Sequence, residues 1–187
     1  MHRRSPSLCL LAILAAAWPA AATTLVRMSL DELARAAGLV VRARCVSTES
    51  RWENGEIWTL ATFEVSEALK GVPATRVQVR LLGGQVGHFK STVDGVPRFQ
   101  AGEEAYLFLE QAPQGDYFVT SWVQGTFRIR RDARTRQETV TQDTSGLAVF
   151  DPTTRQFRPG GVRRLPVEEF RQLVRDAVAR AERGRQP

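Results

Sequence analysis

Residues 81–109, LLGGQVGHFKSTVDGVPRFQAGEEAYLFL, restrict the possible folds more than any other part of the chain. An apolar strand end runs into three glycines in five positions: Gly83, Gly84 and Gly87. A Pro97-Arg98-Phe99 corner and a Gly102-Glu103-Glu104 turn follow. The glycines exclude a regular strand interior and predict a bulge or a loop with unusual backbone angles. The segment closes on AYLFL, residues 105–109, which has no polar face. Such a strand must be central, with a core on one side and a helix on the other.

The surrounding pattern is β. Residues 39–50 alternate, with Val41, Ala43, Cys45 and Ser47 on one side and Arg42 and Arg44 on the other. Asn54-Gly55 predicts a hairpin turn. Residues 57–69 return with Ala61, Phe63 and Val65 inward, which makes a long, curved hairpin. In 76–82, Val77, Val79 and Leu81 point inward. Residues 117–122 and 126–130 add strands, with Phe127 and Ile129 inward, and 137–141 reads as a weak edge strand. About six strands predict a mainly β chain. A small antiparallel barrel of OB type comes first, and a two-sheet sandwich is the alternative.

Two helices frame the strands. Ser29-Leu30-Asp31-Glu32 is a capping box, Leu30, Leu33, Ala34 and Ala37 share one face, and Gly38 suits a left-handed C-cap. Near the other end Pro166 opens a helix carrying a Phe170, Leu173, Val174, Ala177, Val178, Ala181 stripe, and Gly184 closes it. The expected organisation is a β-barrel domain over 23–145, an irregular connection over 146–165, and a helix over 166–184 packed on the barrel.

The first residues predict export. His2-Arg3-Arg4, the apolar run 8–18, Pro19 and Ala20-Ala21-Ala22 have the layout of a secretory signal peptide over 1–22. The run is too short for a comfortable membrane span, so the mature form, starting at Thr23, has no membrane span and is periplasmic or secreted. Removing those residues takes away two of 26 basic residues and none of 20 acidic ones, which leaves a net charge of +4. Only Lys70 and Lys90 are lysines. Cys45 is the single mature cysteine, so no disulfide staples the fold, and it reads as a small buried hydrophobe.

The chemistry of catalysis is thin. A structural zinc site needs four Cys or His ligands, and the mature chain offers His88 and Cys45. No calcium loop is present either, so no metal and no cofactor are expected. His88, Ser91 and Asp94 lie too close in one loop for base, nucleophile and orienter, and no Gly-x-Ser-x-Gly elbow exists. GQVGHFKS, residues 84–91, departs from a P-loop and has no helix after it to hold phosphate. Glu103 and Glu104 are adjacent on a strand start and so face opposite sides. Trp52, Trp58, Phe89, Arg42 and Arg44 would suit a single-stranded nucleic acid, but export argues against that partner. What remains is a binding module. Gly83, Gly84, Gly87, His88, Phe89, Lys90 and Arg98 form its candidate ligand-binding loop, since long loops on rigid scaffolds tend to be functional. The plainer reading is that these glycines only bend a strand.

Residues 33–130 resemble a family of uncharacterised exported bacterial proteins. The motifs are Gly38-Leu39-Val40-Val41-Arg42-Ala43, Phe63-Glu64-Val65 with Leu69-Lys70-Gly71, and Gly83-Gly84 with Gly87. Pro97-Arg98-Phe99, Gly102-Glu103-Glu104, Leu107-Phe108-Leu109 and Gln124-Gly125-Thr126-Phe127 complete them. More distantly, the order of elements is similar to netrin-like OB barrels, including tissue inhibitors of metalloproteinases. Those inhibitors begin on a disulfide-pinned cysteine that chelates the protease zinc. Here Thr23-Thr24-Leu25 stands instead. The resemblance implies a netrin-like barrel, and partner contact at Thr23 and Thr24 through the Thr23 α-amine. The missing base and metal ligands point to a non-enzymatic role, binding another exported protein, and the resemblance implies restraint or escort of a secreted metalloprotease as the sharper form. The alternative is an envelope polysaccharide or lipid binder that uses arginine-rich faces toward anionic polymers.

Overall fold

The computed structural model describes residues 25–144, 149–158 and 160–184. The predicted signal peptide, Thr23 and Thr24 lie outside them. The chain is mainly β. In order the elements are β1 (Leu25–Val26), α1 (Leu30–Ala36), β2 (Leu39–Glu53), β3 (Glu56–Lys70), β4 (Arg76–Leu82) and β5 (Gly84–Val86). Next come β6 (Phe89–Ser91), β7 (Glu104–Gln111), β8 (Tyr117–Val119), β9 (Thr126–Arg131) and β10 (Glu138–Gln142). The chain ends with β11 (Val149–Asp151), β12 (Gln156–Arg158), β13 (Leu165–Pro166) and α2 (Val167–Arg183). No described helix is long and apolar enough to cross a membrane.

The main sheet runs β13-β10-β9-β7-β2-β3-β4-β8, and β8 also pairs with β7. The pairings β7-β2-β3-β4-β8 therefore return to β7. All are antiparallel except β4 with β8, which meet in parallel at Val79↔Tyr117. Inside this ring lies one core, built from Val41, Ala43, Cys45, Ala61, Phe63, Val77, Val79, Leu81, Phe99, Leu107 and Leu109. The alternation read from β2, β3 and β4 places these side chains as expected. Burial pushes the Cys45 thiol pKa up, which suits an inert core residue.

β7 is covered on both faces. Ala105, Leu107 and Leu109 enter the ring core, while Tyr106 and Phe108 join a second core beneath the helices. There Phe170 of α2 meets Phe127 at 4.7 Å and Tyr106 at 5.2 Å between ring centroids. Phe127 and Ile129, expected inside with the other strand residues, belong to this helix-side core. β9 extends the sheet past β7, beyond the ring, so its apolar face meets α2 instead. In α2 the predicted stripe is buried except Leu173, which is 44% exposed, and Val167 takes a buried place.

The helix starts follow the sequence and the ends do not. Ser29 and Glu32 form the expected reciprocal capping box. Gly38 has no left-handed backbone; its amide donates to the Leu109 carbonyl at 2.9 Å, which ties α1 to β7. Gly184 is right-handed, with φ −73°. The exposed carbonyls at the end of α1 are met by Lys70 instead. Its buried Nζ donates to the Ala34 carbonyl at 2.6 Å and to the Ala37 carbonyl. A cation suits that negative helix end.

The expected irregular connection contains short strands. β11 pairs with β12 and, in parallel, with β1, and β13 edges the main sheet beside β10. Gln124 fixes the incoming chain: its Oε1 accepts from the Met28 amide, and its Nε2 donates to the Val26 carbonyl. Arg27 pairs with Asp151 at 3.1 Å.

Replacing Lys70 by Met keeps the aliphatic stem and removes the ammonium cap. The expected loss is about 2 kcal/mol, the worth of charged hydrogen bonds to carbonyls left dry. Urea unfolding of the Lys70→Met protein should show a lower midpoint at an unchanged slope.

Candidate functional site

β2 and β3 have 15 residues each, far longer than the other strands. At ~3.3 Å per residue each spans roughly 50 Å. The first half of β2 and the later half of β3 contribute to the two cores. Past Cys45, where a register shift bends the strand, β2 continues beside the first half of β3, whose other edge is paired with β4 from Trp58 to Glu64, and this part of the sheet forms a tongue. The tongue turns at Asn54 and Gly55, both with positive φ as a two-residue primed turn requires.

The glycine-rich segment lies over this tongue, and its first part is no open loop. β5 and β6 pair as a small hairpin, Gly84↔Ser91 to Val86↔Phe89. Gly87 takes φ +58° in the turn, and His88 follows it without positive φ. The hairpin is seated by specific bonds. The Gly83 amide donates to the Ile57 carbonyl at 2.7 Å, and Thr59 Oγ1 donates to the Gly83 carbonyl at 2.7 Å. Ser50 Oγ and Thr59 Oγ1 lie 2.8 Å apart, and Ser50 Oγ accepts from the Gln85 amide. Gly84 sits directly on this hydroxyl pair at φ +138°, so a Cβ there would collide with both oxygens. Gly83 and Gly84 are thus the seat, and Gly87 only turns the chain.

The seat holds two exposed aromatic rings together. Phe89, 65% exposed, stands edge-on to Trp52, 50% exposed, at 5.7 Å between centroids. Beside them lies a depression of about 280 Å³ bordered by Ile57, Leu82, Lys90 and Val93. Lys90 and His88 are exposed at its rim. His88 makes no side-chain hydrogen bond to Ser91 or Asp94 among the described residues.

The tongue's other face carries a second aromatic group. Arg80 lies over the Trp58 ring at 5.1 Å, and Trp58 meets Phe118 at 6.2 Å. Arg80 pairs with Glu53 and with Asp116. Glu53 also accepts from Arg51 at 2.5 Å. The Arg51 hydrogen bond, with Arg80 assisting, holds the Glu53 carboxyl below its ordinary pKa.

Not every predicted residue joins this site. Arg98 is exposed, but its neighbours Pro97 and Phe99 are buried, and Phe99 packs on Phe63 at 4.9 Å in the ring core. The Arg98 carbonyl accepts from Arg128. The turn that follows this corner, at Gly102 and Glu103, bonds β2 at Cys45, about 20 Å along the strand from Trp52. Arg42 and Arg44 are equally remote, and Trp58 faces away from Trp52 and Phe89. The surface once imagined for nucleic acid is therefore split among three places. Phe118 was missed because nothing near it in sequence pairs it with Trp58. Ser50 and Thr59 were missed because polar strand residues give no signal of what rests on them.

Depressions elsewhere among the described residues include two that bear on the sequence reading. One, of about 450 Å³, lies beside the incoming chain, and its buried amides Gln124 and Gln142 hydrogen-bond to backbone and to Ser121 Oγ. The other, of about 510 Å³, runs along an arginine-rich face. There Arg42 binds Glu104 and Glu138, Arg128 binds Glu103 and Asp143, and Arg131 binds Glu138. No group of three or more His, Cys, Asp or Glu that could hold a metal is present among the described residues.

Two changes separate the seat from the turn. Gly84→Ala should unseat the hairpin, lower the melting temperature and shift Trp52 fluorescence. Gly87→Ala meets nothing within 4 Å and should cost only the left-handed backbone, about 1 kcal/mol. Acid should act through Glu53. Because its folded pKa is depressed, its contribution is complete above about 4.3, the unfolded value, and is lost as pH falls through the folded pKa. A tryptophan fluorescence titration should show this step, and Glu53→Gln should abolish it.

No protein-family model matches the chain, and no curated protein matches it.

Proposed function

We propose that this chain is an exported, non-enzymatic binding module, and that it grips another exported protein with the Trp52–Phe89 face of the tongue. The carrying observation is the pair itself: two large rings, half or more exposed, held by a hydrogen-bonded glycine seat. Exposed aromatics cost free energy in water, and pre-ordered ones lose little entropy on contact. Aromatic anchors in such positions dominate many protein interfaces. Lys90 and His88 at the rim would supply polar contacts.

The scaffold fits the same reading. A strand ring closed by one parallel pairing supports an OB-type barrel, and helices packed on one side of it suit the netrin-like form of the proposal. Rigid barrels of this kind offer loops and strand faces for recognition. The mature protein would work in the periplasm or outside the cell. The sharper form, restraint of a secreted metalloprotease, rests on the resemblance and on a free amine at Thr23. Envelope polymer binding is the weaker alternative, because the arginines of the most basic face already hold carboxylates.

Capture from the producing cell's exported fraction on immobilised mature protein tests this. A defined partner should be retained, and Trp52→Ala or Phe89→Ala should weaken it at least tenfold with an unchanged circular dichroism melt. Capture that ignores both substitutions would refute the surface. Capture of polyanion that collapses with salt would favour the polymer alternative.

A further inference from the structure

The outer edge of β2 beyond Cys45 has no partner strand among the described residues. β7 follows β2 only to Arg44↔Glu104, and the turn at 102–103 takes the amide and carbonyl of Cys45. From Ser47 to Glu53 the strand is paired with β3 alone. Its free backbone groups can be assigned. The two-residue turn closes on Glu53↔Glu56 as a hydrogen-bonded pair, and pairs then alternate back along the strands. Arg51 and Glu49 bond to β3. Thr48, Ser50 and Trp52 point their amides and carbonyls outward. Two contacts agree. Ser50 and Thr59 side chains meet at 2.8 Å, as in the closer, non-hydrogen-bonded type of pair. Ile57, opposite Trp52, gives its carbonyl to Gly83 on the far side.

An edge with six unpaired groups and no proline is open to another strand. We propose that its partner is the same edge of a second copy, β2 against β2 antiparallel, with a two-fold axis at Ser50. The charges choose both the partner and the register. Symmetric registers centred on Thr48 or Trp52 set only that one outward residue opposite its copy; three others, centred on Glu49, Ser50 or Arg51, engage two or all three of the outward residues. The first sets Glu49 against Glu49. The third sets Arg51 against Arg51 and Glu49 against Glu53. Only the Ser50 register places each Glu49 opposite an Arg51 of the other copy, twice over, which favours it over both rivals. That register also pairs Thr48 with Trp52 on either side of the axis and satisfies all six outward groups. Glu49 has no ion pair among the described residues, and Arg51 binds only Glu53 of its own strand. The joined sheet would then present two Trp52–Phe89 pairs on one face, a bivalent display.

Sedimentation velocity over a concentration series tests the proposal with the full mature chain. The wild type should self-associate. Glu49→Arg and Arg51→Glu should each weaken the dimer roughly tenfold, and the double exchange should restore it. Thr48→Pro, which removes an outward amide and leaves the β3 pairing intact, should also weaken it. Circular dichroism should find every variant folded. A wild type that stays monomeric overturns the proposal, and so does association that ignores all three single changes. Single variants that weaken the dimer without rescue by the double exchange overturn the register.

Discussion

Strand β7 has no face it can show to water. Ala105, Leu107 and Leu109 are buried on one side and Tyr106 and Phe108 on the other. Five consecutive apolar residues in an extended chain need two separate apolar layers, since neighbours point opposite ways. The ring of strands supplies one layer, and α1 and α2 with β9 and β10 supply the other. Each layer fails without the other, because exposing either face of β7 would return large aromatic or branched surface to water. Lys70 and Gly38 couple the two: the lysine from β3 holds the end of α1, and the glycine amide ties that same end to Leu109.

With stability carried there, β2 is released from core duty along its second half. Register shifts in β2 fall between Val40 and Ser47, where the strand bends between partners. Beyond them the strand carries Thr48, Ser50, Trp52 and charged residues, a composition that packs nothing by itself. The β5–β6 hairpin makes this part rigid without a core. Hydroxyls under a glycine do what apolar side chains do elsewhere, which is to fix one surface against another. That substitution explains why a glycine-rich segment here is ordered, and why its order depends on Gly84 more than on Gly87.

How far the sequence foretold this depends on whether a feature is local. The alternation of Val77, Val79 and Leu81, the Ser29–Glu32 box and the two-sided character of AYLFL are set by neighbouring residues, and each appeared in the structure as read. Phe127 did not, because periodicity says that it is buried and not which layer buries it. Gly38 and Gly184 misled because glycine permits a left-handed cap without requiring one, and here a tertiary hydrogen bond to Leu109 and a right-handed helical bond to Arg180 took precedence. Leu173 matched the apolar stripe yet lies on its exposed margin. Among site residues, His88, Phe89 and Lys90 were legible as one group because one hairpin carries them. Arg98 was grouped with them by sequence nearness, but the Pro97 and Phe99 side chains that flank it are drawn into the core and carry it away. Trp52 belonged to the site through a contact across 37 positions, which no local pattern encodes.

Arginine abundance is the feature most easily misread. Summed along the chain it suggests a polycation, but charge acts through its arrangement. Arg42, Arg80, Arg128 and Arg171 each sit between or beside carboxylates contributed by other strands or loops. Planar guanidinium groups suit this bridging, since one group can hold two acceptors in fixed directions, which lysine cannot do. The pairs cross-link sheet neighbours and leave a surface of alternating sign. Where an arginine is paired in this way, a polyanion must displace a carboxylate already in place to reach it. An apolar contact faces no such competition. The two rings on the tongue are surface whose burial leaves no charge unpaired, and that asymmetry, more than the net charge, is why the proposed contact is placed there.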